Sequence, residues 1–165
     1  MLERWNEILN GLWLGNFIAA EDISELKAKN IKKILTITKQ PGPDYPKDLN
    51  FLHKKIEIDD FESENIIKFF GECLKFIEGK EKILVHCMAG ASRSATIVIA
   101  FLMWKKKMTA EKALEFVQNK REIVYPNDGF LEQLKIFEGE LEKNKYDLDK
   151  VKFEEIKWEY KNQWS

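Results

Sequence analysis

A chain of 165 residues with 44% hydrophobic and 33% charged side chains can bury one ordinary core and is too apolar to stay disordered. A net charge of -1 exerts no global pull on nucleic acid or an anionic membrane surface, and no apolar run approaches the roughly 20 residues of a membrane span. The 2 cysteines, Cys73 and Cys87, cannot build a disulfide framework, and with only His53 and His86 beside them no spacing suggests a metal site. The N-terminal residues lack an apolar leader, position 2 is not glycine and the C-terminal residues are no prenylation box. The expectation is a soluble intracellular protein, cytoplasmic or nuclear, with no membrane anchor and no cofactor.

Ile8–Gly15, around Leu12, Trp13 and Leu14, reads as a first strand. A helix is expected near Glu21–Lys29, with Ile23 and Leu26 on one face. Ile34–Thr38 is apolar and β-branched, a buried strand. Pro41, Pro43 and Pro46 make Gln40–Pro46 a loop. Phe51–Ile58 resumes strand character and Asp59–Glu64 is a polar turn. Ile66, Ile67, Phe69, Phe70, Leu74, Phe76 and Ile77 give helical periodicity over Asn65–Glu78. Cys73 on that helix reads as a small buried hydrophobe, with a resolving thiol as the rarer alternative. A short strand, Lys82–Val85, leads into His86. An apolar helix runs from Arg93 to Trp104 and is closed by Lys105, Lys106 and Lys107 at its negative end. Thr109 suits the N-cap of a helix over Ala110–Arg121. Tyr125–Gly129 breaks the chain, and a last helix runs from Phe130 toward Leu141. Strands alternating with helices, then helices alone, predict an α/β fold: a central, mostly parallel sheet with helices on both faces, and the Cys87–Arg93 loop at the carboxyl end of a central strand.

The stretch Val85-His86-Cys87-Met88-Ala89-Gly90-Ala91-Ser92-Arg93-Ser94 is therefore strand, tight loop and helix start. Backbone N–H groups of such a loop can converge on one point, with Gly90 supplying a conformation that a Cβ resists. The helix adds its unpaired N–H groups and the positive end of its dipole. Arg93 adds a planar fork that holds two oxygens at once. A doubly charged oxyanion fits that cradle, and a thiol in the same field ionises more readily than usual, so Cys87 is expected as a thiolate. The competing reading is a buried structural cysteine ahead of an ordinary helix.

His86-Cys87, five residues, Arg93 and Ser94 resemble the signature loop of the cysteine-dependent protein tyrosine phosphatases. The string from His86 through Thr96, continuing to Met103, is similar to their dual-specificity branch. The resemblance covers about Asn6–Leu141 and implies the same α/β fold. It implies two-step covalent catalysis in which Cys87 attacks phosphorus and Arg93 with the loop Met88, Ala89, Gly90, Ala91 and Ser92 holds the phosphoryl oxygens. It implies a carboxylic acid on the upstream turn. Asp60 fits the spacing to an aromatic at the next helix start through Phe70, and Asp59 fits through Phe69; Asp60 is chosen, and the one not used is a surface or capping carboxylate. Ser94 is implied to assist the departing thiolate, with a helix cap as the alternative. Ser92 is expected to line the loop and only donate a hydrogen bond. His86 is implied to orient the loop and favour the thiolate, His53 reads as a strand-surface residue, and Asn127 buttresses the loop or simply forms a turn.

An uncharged loop is unlike the lysine-bearing loops of phosphoinositide phosphatases of this superfamily. The chain is also shorter than the tyrosine-only enzymes, whose added loop deepens the pocket. The resemblance therefore implies phosphoprotein substrates carrying phosphotyrosine and phosphoserine or phosphothreonine, a protein kinase among the candidates, no nucleic acid, and a monomer. A non-catalytic phosphopeptide-binding module, a phosphatase for a non-protein ester and a sulfur-transfer loop are the rival readings. Residues 1–142 are expected as the catalytic domain. In the charged tail 143–165, Phe153, Ile156 and Tyr160 are spaced as on one helix face and predict packing on the domain, with a partner-binding arm as the alternative; Trp158 and Trp164 add further aromatics.

Overall fold

The computed structural model describes residues 3–161. The expected first strand is instead a hairpin, β1 (Trp5–Leu9) and β2 (Leu12–Gly15), turning on Asn10 and Gly11. An Asn-Gly pair between apolar runs is a turn signal, and it overrides the apolar run around it. Two short helices, α1 (Phe17–Glu21) and α2 (Ile23–Ala28), replace the single one expected near Glu21–Lys29. Asp22 divides them: its backbone N–H closes α1, and its carboxylate accepts from the Glu25 N–H at 3.1 Å to cap α2. A side chain that competes for local backbone groups favours such a boundary over a helix interior.

The remaining elements are β3 (Ile31–Ile37), β4 (Leu52–Ile56), α3 (Phe70–Ile77), β5 (Lys82–His86), α4 (Arg93–Lys105), α5 (Ala110–Lys120) and α6 (Asp128–Lys143). β3 begins earlier than expected, β4 is shorter, and a 3-10 turn at Ile67–Phe69 takes the first part of the expected Asn65–Glu78 helix. α6 begins two residues before Phe130 and runs past position 142.

The sheet order is β1-β2-β5-β3-β4, parallel throughout except for the antiparallel edge strand β1. Alternation along the strands divides the core. Leu35, Ile37, Ile83 and Val85 pack with α3, α4, α5 and α6, while Ile34 and Leu84 pack with Ala19, Ala20 and Leu26 of α1 and α2. Helices thus cover both faces, and β5, flanked by β2 and β3, is the central strand. α4 is buried from Arg93 to Met103, as an apolar helix enclosed by neighbours should be.

Past the end of α6 the tail forms no α-helix among the described residues, only the 3-10 turns Leu148–Lys150 and Phe153–Glu155. Leu148 and Val151 are buried, Phe153 stacks on Phe137 at 6.0 Å between ring centres, and Phe153–Glu155 is a single 3-10 turn. The helical spacing of Phe153, Ile156 and Tyr160 is therefore coincidental. Trp158 and Tyr160 lie 6.5 Å apart, and Trp164 falls outside the described residues.

Candidate active site

Cys87 follows the last residue of β5, and the bend from Cys87 to Ser92 delivers the chain into α4. Every carbonyl of the bend has a donor. Cys87 O accepts from His86 Nδ1 at 3.2 Å, and Met88 O accepts from the Phe17 N–H at 3.1 Å. Ala89 O and Gly90 O accept from Arg121 Nη2 at 3.0 Å and Arg121 Nε at 2.9 Å. Ala91 O takes the Tyr125 N–H at 2.8 Å, and Ser92 O takes the Thr96 N–H at 2.8 Å and its hydroxyl at 2.7 Å. A trans peptide points its N–H away from its C=O, so carbonyls engaged by their surroundings leave the N–H groups free for the concave side. The Gly90 N–H bonds the Cys87 sulfur at 3.3 Å. Gly90 itself sits at φ +69°, and a Cβ there would meet Gly15 O at 2.5 Å.

Cys87 is buried, and its Sγ lies 3.0 Å from Ser94 Oγ. Ser94 thus faces the sulfur. Arg93 is buried too, and among the described residues its side-chain hydrogen bonds leave from Nη1: to Thr38 Oγ1 at 3.0 Å, Gln40 Oε1 at 3.1 Å and Ile58 O at 3.0 Å. Its Nε is buried and has no partner among the described residues. Nη1 is thus anchored by protein oxygens, while Nε is left for an acceptor from outside the described residues.

The acid turn meets this bend from the side of β4. Asp60 Oδ1 accepts from Ser92 Oγ at 2.7 Å and from Asn127 Nδ2 at 3.0 Å. Asp59 faces elsewhere, paired with Lys39 at 3.3 Å. Ser92 accepts as well as donates, because the Asn127 N–H reaches its Oγ at 3.0 Å; the expectation that it only donates is corrected. Asn127 also caps α6, its Oδ1 accepting from the Phe130 N–H at 2.8 Å, so turn former and loop neighbour are one residue. Cys87, Ser92, Arg93, Ser94, Asp60, Asn127 and His86 are thus brought together.

His86 is tied on both nitrogens. A carbonyl oxygen only accepts, so Nδ1 carries the proton toward Cys87 O. Nε2 is then the acceptor for Thr36 Oγ1 at 2.6 Å, and Thr36 in turn meets His53 Nε2 at 2.8 Å. Burial pushes the His86 pKa down to about 4, so the ring is neutral and acts by orientation rather than by charge. Burial pushes the Cys73 thiol well up, which leaves it protonated and fits the small-hydrophobe reading rather than a resolving thiol.

Three contributors escape a reading of the sequence. Arg121 reads as an ordinary cation ending a helix; it is buried and binds Ala89 O, Gly90 O, Glu3 O and Asn6 Oδ1. Gln133, fully buried on α6, accepts from the Ile67 N–H and donates to Glu64 O and Gly129 O, tying down the end of the acid turn. Gly129 lets that turn approach, since a Cβ there would lie 2.0 Å from Glu62 O. Only Gly129, within Tyr125–Gly129, carried any sequence signal, as a chain breaker.

The family model "Dual specificity phosphatase, catalytic domain" matches residues 12–140. The chain is 40% identical over 143 residues to dual specificity protein phosphatase 1B of Arabidopsis thaliana, covering 84% of each. The crystal structure of DUSP15 superposes with a TM-score of 0.80 at 33% identity, covering 93% of this chain and 97% of that one. The human tyrosine phosphatase-like serine/threonine/tyrosine-interacting protein superposes at 0.78 with 35% identity, covering 83% and 97%.

Proposed function

The chain belongs to the dual specificity phosphatase family and is a protein phosphatase, and on that premise we propose which of its residues carry the reaction. Cys87 Sγ attacks phosphorus while the bond from phosphorus to the leaving oxygen breaks. Asp60 gives that oxygen its proton, and phosphocysteine forms. Water then attacks phosphorus, Asp60 takes its proton, the S–P bond breaks, and the Ser94 hydroxyl donates to the departing sulfur. Arg93 Nε and the inward N–H groups of Met88 to Arg93 hold the oxygens on which charge builds up. His86 and Asn127 position the bend and the acid without touching substrate. The observation that carries this reading is the buried, partnerless Nε of Arg93. A guanidinium edge without an acceptor persists where function needs it, and a phosphoryl oxygen is the acceptor that fits.

The substrates are phosphoproteins bearing phosphotyrosine and phosphoserine or phosphothreonine, and we propose a protein kinase as one of them. A thiolate nucleophile needs reducing surroundings, so the cytoplasm or nucleus is the proposed setting, and a monomer is the proposed state because one copy holds every residue above. The rival reading, a phosphopeptide-binding module, draws on the phosphatase-like structural neighbour. Release of inorganic phosphate from phosphotyrosine and phosphothreonine peptides tests both. The wild type should turn over and Cys87→Ser should fall to the uncatalysed rate, a loss of at least about 10⁴-fold, while still binding peptide. Binding without turnover by the wild type would favour the module.

A further inference from the structure

Among the described residues, Phe17, Ile18, Leu52, Phe61 and Tyr125 are the exposed large hydrophobics. All but Leu52 sit on segments that the phosphate cradle itself holds. The Phe17 N–H bonds Met88 O, and Ile18 is its neighbour in α1. The Tyr125 N–H bonds Ala91 O. Phe61 follows Asp60, whose carboxylate accepts from Ser92. Scattered exposed hydrophobics need no explanation, but a set carried by the segments that flank one site marks a contact surface. Phe61 and Tyr125 are 59% and 65% exposed, left mostly uncovered by the described residues.

Around Arg93, the segments that flank the cradle carry charges of one sign. Residues 16–18, 60–64, 87–92 and 124–128 include no lysine or arginine, but they carry Asp60, Glu62, Glu64 and Asp128. Arg121, behind the bend, has all three guanidinium nitrogens bonded to protein oxygens. Lys39, beside the acid turn, is paired with Asp59 and with Glu64 at 3.4 Å. A second phosphate next to the one in the cradle would meet carboxylates and find no uncommitted cation among these groups.

Resting on the phosphoprotein reading above, we propose that Phe17, Ile18, Phe61 and Tyr125 form a substrate-reading rim. It selects phosphoprotein segments with apolar side chains beside the phosphorylated residue, and rejects segments with acidic or second phosphorylated residues there. The rim is continuous with the cradle, so a chain whose phosphate is held by Arg93 must lay its neighbouring residues across it. Apolar neighbours bury aromatic surface, and acidic neighbours are repelled by the carboxylates.

The test is kcat/KM of the wild type on four phosphotyrosine peptides that differ only at the flanking positions: glycine, leucine, glutamate, and a second phosphate two residues away. The leucine peptide should exceed the glycine peptide by about tenfold, and the glutamate and doubly phosphorylated peptides should fall below it. In Phe61→Ser and Tyr125→Ser the leucine-to-glycine ratio should drop toward one. Leu52→Ser, on the edge strand β4, should keep the wild-type ratio. Equal turnover of the leucine and glycine peptides, or a preference for the doubly phosphorylated one, overturns the rim and leaves the phosphatase reading intact. No turnover of any peptide overturns both. The wild-type comparison decides even if a variant fails to fold.

Discussion

The bend Cys87–Ser92 and the turn Asp59–Glu64 face one another across the site and are held in different ways. The bend is fastened at every residue: each carbonyl has a donor, and Arg121 alone supplies two of them. The turn hangs from α6 by a few contacts: Gln133 on Glu64 O, the bare Gly129 against the Glu62 backbone, and Asn127 on the Asp60 carboxylate. Asp60 stays exposed and Cys87 does not. In the proposed reaction the bend receives the phosphoryl group, and fixed dipoles suit that task because they stabilise developing charge only if they need not reorganise. The proposed acid on the turn must be recharged from water in each cycle, and its exposure would supply that.

Breaking the bend should cost most. Arg93→Lys keeps the charge and loses the fork, and the Thr38, Gln40 and Ile58 acceptors lose the Nη1 that joins them. The expected outcome is a fall in kcat on the order of 10³-fold, read from phosphopeptide turnover, with thermal stability lowered as well.

The bend also carries a pH signature. The folded His86 value of about 4 lies below the ordinary 6.5, so the unfolded chain takes up the proton first. The corresponding stability is fully present above pH 6.5 and is lost as pH falls toward 4, reaching on the order of 3 kcal/mol. Urea unfolding of the wild type should weaken over that window, and His86→Gln should show a shallower dependence. Parallel curves for the two proteins would refute the neutral, buried histidine.

Breaking the turn should cost less, and in a way that reports its function. Asp60→Asn should lower kcat on the order of 100-fold for phosphoserine peptides, whose leaving oxygen needs the proton. Aryl esters with acidic leaving groups should suffer far less. Gly129→Ala tests whether α6 positions that acid. It should repeat the leaving-group dependence at about tenfold, because the turn must retreat from a Cβ that would overlap Glu62 O. A loss equal for all leaving groups would mean that the substitution damages the bend instead.

How far the sequence could be read follows from the same contrast. The bend was legible because its chemistry needs particular residue types at adjacent positions, and adjacency is what a sequence displays. Asp60 was chosen over Asp59 on its spacing to Phe70, a count that Asp59 nearly matches through Phe69; their partners differ plainly only in the fold, where one meets Ser92 and the other Lys39. The tail packs on the domain as its aromatics suggested, with Phe153 and Ile156 against the core, but their helical spacing did not foretell the non-helical path by which they reach it. The hairpin at Asn10 and Gly11 had its turn signal in plain view, obscured by the apolar residues around it.

Local chemistry was decided along the chain: the nucleophile, the guanidinium, the candidate acids, the buried helix α4 and the alternation of strands and helices. These depend on residue type and on periods of two and 3.6, which are properties of neighbours. Tertiary structure decided what each group is bonded to. Thr36 reaches His86 because β3 and β5 pair in that register. Arg121 reaches the bend because α5 ends behind it, and Gln133 reaches the turn because α6 crosses it. Such contacts join positions dozens of residues apart, and their energies come from burial and from satisfied polar groups that exist only once the layers have packed.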